Sequence, residues 1–193
     1  MFLGDNGTLG SVTSRFQGSD YRGGKGSTTR RGTHVPLIAS WPAVMKAGRV
    51  HRDLISSADF LPTICEAAGA SVPAEIDGVS FLPQLRGERG TPRQWLYCWY
   101  SPRQRADMTV REFAADHHYK LYRDGRFFDL AADPDETAPL EVASLESQAA
   151  AAAKRLQAVL DQFQDARPAE LDRQFQQSRK DEPAPKAKKK RPH

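Results

Sequence analysis

Apolar and polar residues follow several distinct rhythms along this chain, and each rhythm predicts a different element. Met1 to Leu3 is a short apolar run that ends at Gly4-Asp5-Asn6-Gly7. From Thr8 to Thr33 the periodicity fades and glycines and hydroxyl side chains dominate. That predicts a long loop, a type of segment that inside a folded domain usually carries function or disorder. Val35-Pro36-Leu37-Ile38-Ala39-Ser40-Trp41-Pro42 is a continuous apolar run between prolines. It reads as a strand buried on both faces, as in a parallel sheet.

A helical rhythm follows from Ser57 to Ala68, with Ala58, Leu61, Ile64, Cys65 and Ala68 at spacings of three and four. Asp59 favours the positive end of the helix dipole, Pro62 is tolerated in the first turn, and Gly69 supplies the stop. Farther on, Trp95 to Tyr100 reads as an aromatic strand. Tyr119 to Leu130 reads as two strands joined at Asp124-Gly125, a strong hairpin signal. Asp133-Pro134-Asp135 turns the chain out. A long helix then carries Leu145, Ala149, Ala152, Leu156, Val159, Leu160 and Phe163 along one face.

Taken together, strand, loop, strand and helix predict an α/β layer, followed by a small antiparallel sheet with a helix packed on it. The expected division is residues 1–92, residues 93–167, and a disordered tail over 168–193 rich in Gln, Lys and Pro.

Composition changes this picture in one respect. The chain has 193 residues and a net charge of +4. Residues 171–193 hold eight Lys and Arg against three acids. The rest of the chain therefore carries a net −1, so the basic character belongs to the tail. A nucleic-acid partner is not expected, because phosphate contacts need a basic folded surface. No apolar run reaches the length of a membrane span, and no membrane association is expected. Cys65 and Cys98 lack metal-ligand spacing and read as core thiols.

Three places carry candidate chemistry. Asp5-Asn6-Gly7 is by itself a turn signal. It also places a carboxylate and an amide oxygen at the end of a strand, where ligands bind in open α/β sheets and where oxygen donors suit Ca²⁺. Gly23-Gly24-Lys25-Gly26-Ser27-Thr28 combines close backbone approach with a point charge suited to an oxyanion, without the spacing of a P-loop. His34 precedes the Val35-Pro36 strand and reads either as structural or as a group near the ligand.

In order, these blocks resemble the second half of the sulfatase catalytic domain. They are Asp5-Asn6-Gly7, Gly24-Lys25-Gly26, Gly32-Thr33-His34-Val35-Pro36 with Trp41-Pro42, and Asp59-Phe60-Leu61-Pro62-Thr63. Asp77-Gly78-Val79-Ser80-Phe81-Leu82-Pro83 and Tyr119-Lys120-Leu121 with Phe128-Asp129-Leu130 and Asp133-Pro134 complete the series. The resemblance implies the C-terminal part of an arylsulfatase-type fold of the alkaline-phosphatase-like superfamily. It also implies hydrolysis of an aryl or sugar sulfate ester with Ca²⁺ and a formylglycine nucleophile. Carried over by position, Asp5 and Asn6 become metal ligands, Lys25 a catalytic and substrate-binding cation, and His34 a substrate-binding residue.

The family forms formylglycine from a Cys or Ser in a Cys/Ser-x-Pro-x-Arg motif. Cys65 is followed by Glu-Ala-Ala-Gly and Cys98 by Trp-Tyr-Ser-Pro, so neither has that context. The nucleophile is therefore expected from an N-terminal half, and the chain alone is expected to be inactive and to expose apolar surface. Where many members have Glu-Gly-Gly, this chain has Arg30-Arg31-Gly32, two charges that face either an anionic substrate or solvent. The alternatives are a phosphonate or phosphodiester hydrolase of the same superfamily, and a non-catalytic remnant that binds anionic ligands.

Overall fold

In the computed structural model, residues 1–100 and 111–166 are described, together with residues 170, 173 and 177. The basic tail expected over 168–193 lies, but for those three positions, outside the described residues. The chain order opens with β1 (Phe2–Leu3), β2 (Thr13–Phe16), β3 (Ser19–Arg22), α1 (Arg30–Thr33) and β4 (Leu37–Ile38). It continues with α2 (Phe60–Ala67), α3 (Leu82–Arg86), β5 (Leu96–Tyr100), β6 (Arg111–Ala115), β7 (Tyr119–Tyr122), β8 (Phe127–Asp129) and α4 (Ser147–Gln162).

The C-terminal sheet follows the order β5-β6-β7-β8, antiparallel throughout. The Asp124-Gly125 turn closes β7 on β8, with Gly125 at a φ of 90° that side chains rarely adopt. Alternation sends Ala114, Leu121 and Phe127 to one face, where they meet Ala152, Ala153, Leu156, Val159 and Leu160 of α4. The helical stripe read from the sequence is the buried one, and Tyr97 stacks on Phe163 with ring centroids 4.1 Å apart. The opposite face gathers Phe113, Ala115, Tyr122, Phe128 and Leu130, with Cys98 packed at its side. Both faces of this sheet are covered.

The first half departs from expectation in three ways. β1 and β4 pair antiparallel, with Phe2 opposite Ile38 and Leu3 opposite Leu37, and Phe2, Leu3 and Ile38 are exposed. The apolar run over 35–42 therefore marks a strand, but not one buried on both faces, because among the described residues it pairs with β1 alone. The supposed loop over 8–33 contains the β2-β3 hairpin, whose turn residues Gln17 and Gly18 have φ of 49° and 83°. Paired positive φ values fit the twist of a two-residue hairpin, and Gln is an uncommon occupant that hides the signal.

The third departure is in α2, which forms and stops at Gly69 as expected but buries the other side. Leu61 and Ile64 are 50% and 52% exposed, whereas Asp59, Pro62 and Thr63 are buried. Cys65 is a free thiol on this helix, half-buried rather than in a core.

Polar bonds explain which face of α2 turns inward. Asp59 closes a capping box with Ser56, accepts from the Val79 amide at 2.8 Å, and takes the Arg93 guanidinium at 2.9 Å through Oδ2. Thr63 donates to the Asp59 carbonyl at 2.6 Å and accepts from the Phe81 amide at 3.0 Å. Gly78 passes so close that a Cβ there would meet the Ala58 carbonyl oxygen at 2.2 Å. Two sequence blocks some twenty residues apart, Asp59 to Thr63 and Asp77 to Pro83, are thus one structural unit.

Candidate functional site

Backbone bonds assemble the corner that holds the predicted site residues. The Gly4 amide donates to the Pro36 carbonyl at 3.0 Å, and the Gly7 amide donates to the Gly32 carbonyl at 3.2 Å. Asp5 and Asn6 therefore run alongside residues 33–35, His34 among them. One residue beyond Gly7, the Thr8 carbonyl accepts from the Lys25 amide at 2.8 Å. The end of β1, the Gly-Lys-Gly loop and His34 thus share one corner of the fold.

Glycine makes this corner possible. A Cβ at Gly32 would lie 2.1 Å from the Ser27 carbonyl oxygen, and one at Gly23 would lie 2.4 Å from that of Thr8. Both contacts are with backbone, which cannot give way as a flexible side chain can.

At the corner, Asp5 and Lys25 are exposed and Asn6 is half-buried. Among the described residues the side chains of Asp5, Asn6, Lys25 and His34 make no hydrogen bond or ion pair, with one another or with a neighbour. Their polar atoms are available to a ligand. Burial, with a smaller contribution from the Arg30 charge, pushes the His34 imidazole below its usual 6.5. His34 is exposed at the same corner, and an imidazole is a side chain able to exchange a proton near neutral pH.

For a divalent cation, the Asp5 carboxylate and Asn6 amide fit as oxygen donors. They are two of the roughly six to eight that Ca²⁺ takes. No group of three or more His, Cys, Asp or Glu suited to a metal occurs among the described residues.

Behind the Lys25 loop lies a cluster that the sequence did not reveal. Thr28 is buried against the sheet face opposite α4. Its hydroxyl lies 2.9 Å from the Tyr122 hydroxyl, and its carbonyl accepts from the Lys120 ammonium. Lys120 is 3% exposed, pairs with Glu136 at 2.8 Å, and stands 3.8 Å above the Phe113 ring. Tyr122 donates to the second Glu136 oxygen at 2.5 Å.

Burial lowers the Lys120 pKa, and the Glu136 carboxylate opposes that effect. Burial first, and then the bond to Glu136, raise the Tyr122 phenol above its ordinary 10.0. Nearer the surface, Arg31 makes a two-pronged bond to Asp135 at 2.6 and 2.7 Å and lies over the Tyr21 ring. That bond holds the Asp135 carboxyl below its usual range. Of the two arginines at 30 and 31, Arg31 is thus committed to Asp135, while Arg30 is exposed.

The raised phenol of Tyr122 makes a pH prediction. Its contribution to stability is complete below its ordinary pKa of 10.0 and declines as the pH rises through the higher folded value. A urea series should therefore show the unfolding midpoint falling above pH 10.0. In Tyr122→Phe, alkaline titration of phenolate absorbance should lose a late-ionising step.

Comparison with known proteins now decides the family. A profile for the C-terminal region of N-sulphoglucosamine sulphohydrolase matches residues 28–166. The chain belongs to the sulfatase family, in its C-terminal portion.

Similarity to individual sulfatases is consistent with this. Human arylsulfatase A is 35% identical over 138 residues, which is 69% of this chain and 27% of that protein. An N-acetylglucosamine-6-O-sulfatase of Bacteroides thetaiotaomicron is 31% identical over 112 residues, covering 53% of this chain and 20% of that one. The solved structure of BT4656, seen with its substrate D-glucosamine-2-N,6-O-disulfate, superposes with a TM-score of 0.53 at 26% identity. That alignment covers 72% of this chain and 30% of the other.

The chain thus spans about a fifth to a quarter of the length of these curated relatives. The mixed α/β fold with small antiparallel sheets is that of the sulfatase structures. The profile match begins at Thr28, so it takes in the Lys120–Glu136 cluster and leaves Asp5, Asn6 and Lys25 ahead of it.

Proposed function

We propose that this chain forms part of the active site of a sulfuric ester hydrolase, with Lys25 as the cation that meets the sulfate group. The observation that carries the reading is the set of three backbone bonds, Gly4 to Pro36, Gly7 to Gly32 and Lys25 to Thr8, which gathers Asp5, Asn6, Lys25 and His34 at one corner.

The reaction accumulates negative charge on the ester oxygens, and fixed positive charge in place before the reaction lowers its barrier. Lys25 supplies that charge from a tightly closed glycine loop, free of any competing carboxylate among the described residues. His34, whose imidazole is shifted toward its neutral form, holds or passes a proton beside the ester. Asp5 and Asn6 contribute two oxygens to a Ca²⁺ ion, which when bound supplies further positive charge, while a formylglycine supplies the nucleophile. Cys65 and Cys98 are not in the sequence context for that residue, so it comes from a segment other than this one. Relatives act on sulfated sugars or are named as arylsulfatases, and the substrate here is placed in the same class, an aryl or sugar sulfate.

A phosphodiester hydrolase shares the cation logic, so the test must separate the two. The purified chain alone should turn over neither 4-nitrophenyl sulfate nor bis(4-nitrophenyl) phosphate. Expressed in one polypeptide behind a sulfatase segment that carries Cys-x-Pro-x-Arg, it should hydrolyse the sulfate ester by a wide margin over the phosphodiester. A preference for the phosphodiester would replace this reading with the other.

A further inference from the structure

We propose that Lys120, Tyr122 and Glu136 are positioning residues that latch the Lys25 loop onto the C-terminal sheet. This rests on the reading that Lys25 meets an oxyanion. The argument begins with what the loop can do for itself. Its internal bonds, Ser27 amide to Gly24 carbonyl and Gly32 amide to Thr29 carbonyl, both 2.9 Å long, give it a shape. They do not fix where that shape sits. Lys25 and Gly26, at its tip, are exposed. The Lys25 amide on the Thr8 carbonyl sets the loop beside β1, and its place on the C-terminal sheet comes from Thr28, three residues past Lys25, whose carbonyl and hydroxyl are both gripped from the sheet.

The grip is a closed ring of four bonds, three of them charge-assisted and the fourth between the neutral hydroxyls of Thr28 and Tyr122. Glu136 receives Lys120 on one carboxylate oxygen and Tyr122 on the other, and those two groups hold the carbonyl and the hydroxyl of Thr28. Lys120 and Tyr122 are alternate residues of β7 and so project from the same face. Charge-assisted bonds are about twice as strong as neutral ones, and the buried setting keeps water from competing.

A second feature marks Glu136 as built for this place. Its φ is 58°, a conformation that side-chain-bearing residues adopt at a cost. The preceding turn holds it there. Asp133 Oδ2 accepts from the amides of Thr137 at 2.7 Å and Ala138 at 2.8 Å, the two residues that follow Glu136. The same turn supplies Asp135 to Arg31. Two consecutive residues, Asp135 and Glu136, thus fasten the loop at its outer edge and at its base.

The chain itself serves for the test, by hydrogen–deuterium exchange read at the bonded amides of Lys25, Ser27 and Gly32. In Glu136→Gln, which keeps the size of the side chain, these amides should exchange at least ~10-fold faster, a loss of about 1.4 kcal/mol of local protection. Amides of residues 152–160 in α4 should stay within about twofold of the parent rates. Tyr122→Phe, which removes one hydroxyl, should show the same pattern in weaker form.

Unchanged loop exchange in both variants would overturn the latch. So would an acceleration equal in the loop and α4, which marks the cluster as ordinary core. Added inorganic sulfate separates this proposal from the reading beneath it. If the variants free the loop but sulfate slows no amide from Gly24 to Thr29 in the parent chain, the latch stands and the oxyanion role of Lys25 falls.

Discussion

Asp59→Ala should cost about 3–5 kcal/mol of folding stability, the usual result of leaving a buried charge without its partner. The Asp59 side chain is 1% exposed and that of its partner Arg93 is 7% exposed. Asp59 also takes the amides of Ser56 and Val79, so the substitution strands a guanidinium and two backbone donors together. Among the described residues, the Arg93 guanidinium then keeps its bond to the Asp77 carbonyl and its place over the Trp95 ring. Small domains are stable by about 5–15 kcal/mol, so the loss should move the urea midpoint far to the left.

The double variant Asp59→Ala with Arg93→Met should recover part of the loss, because the unpaired charge leaves with its partner. If the single and double variants were equally destabilised, Asp59 would be acting through its backbone bonds rather than through the ion pair.

Asp59 also shows how far the sequence carries. Its place near a helix start was legible from the apolar spacing over Ser57 to Ala68; a 3-10 turn over Ser57–Asp59 leads into α2, which ends ahead of Gly69 as expected. The buried face was not legible, because hydrophobic spacing assumes that the apolar side turns inward. Here Asp59 and Thr63 have specific partners in residues 79–81 and 93, while Leu61 and Ile64 stay open.

In the second half, α4 and the Asp124-Gly125 hairpin follow their patterns closely, since one apolar face packs on one helix. β6 escaped notice because Arg111-Glu112-Phe113-Ala114-Ala115 mixes charge with small residues and lacks a clear alternation.

Lys120 is the instructive omission. Between Tyr119 and Leu121 in an antiparallel strand, a lysine reads as the solvent-facing residue. The inference fails because the Thr28 segment covers that face. The available hint was that Lys120 shares its face with Tyr122 and pairs across with Phe128, both aromatic and both buried. A charge in such company needs a partner, and Glu136 in the next turn is within reach. The Gly-Lys-Gly loop itself was legible as chemistry from its residues, but its anchorage on a sheet almost a hundred residues on was not, since no local pattern encodes a contact between Thr28 and Tyr122.

The central claim concerns the amine of Lys25. On the proposed reading, in the polypeptide that carries the nucleophile segment, Lys25→Ala removes the cation that meets the developing charge. Losses of a single donor of this kind are about 10²–10³-fold in kcat, or about 2.7–4 kcal/mol of transition-state stabilisation. The substitution leaves the folded core untouched, because Lys25 is exposed and, among the described residues, it is bonded through its backbone amide and not its side chain. The unfolding midpoint should therefore match the parent. The decisive measurement is kcat for 4-nitrophenyl sulfate in the parent and the Lys25→Ala variant. A fall of about two to three orders of magnitude with unchanged stability is the expected result. A kcat within a few-fold of the parent would contradict it, and would place the sulfate-binding cation elsewhere.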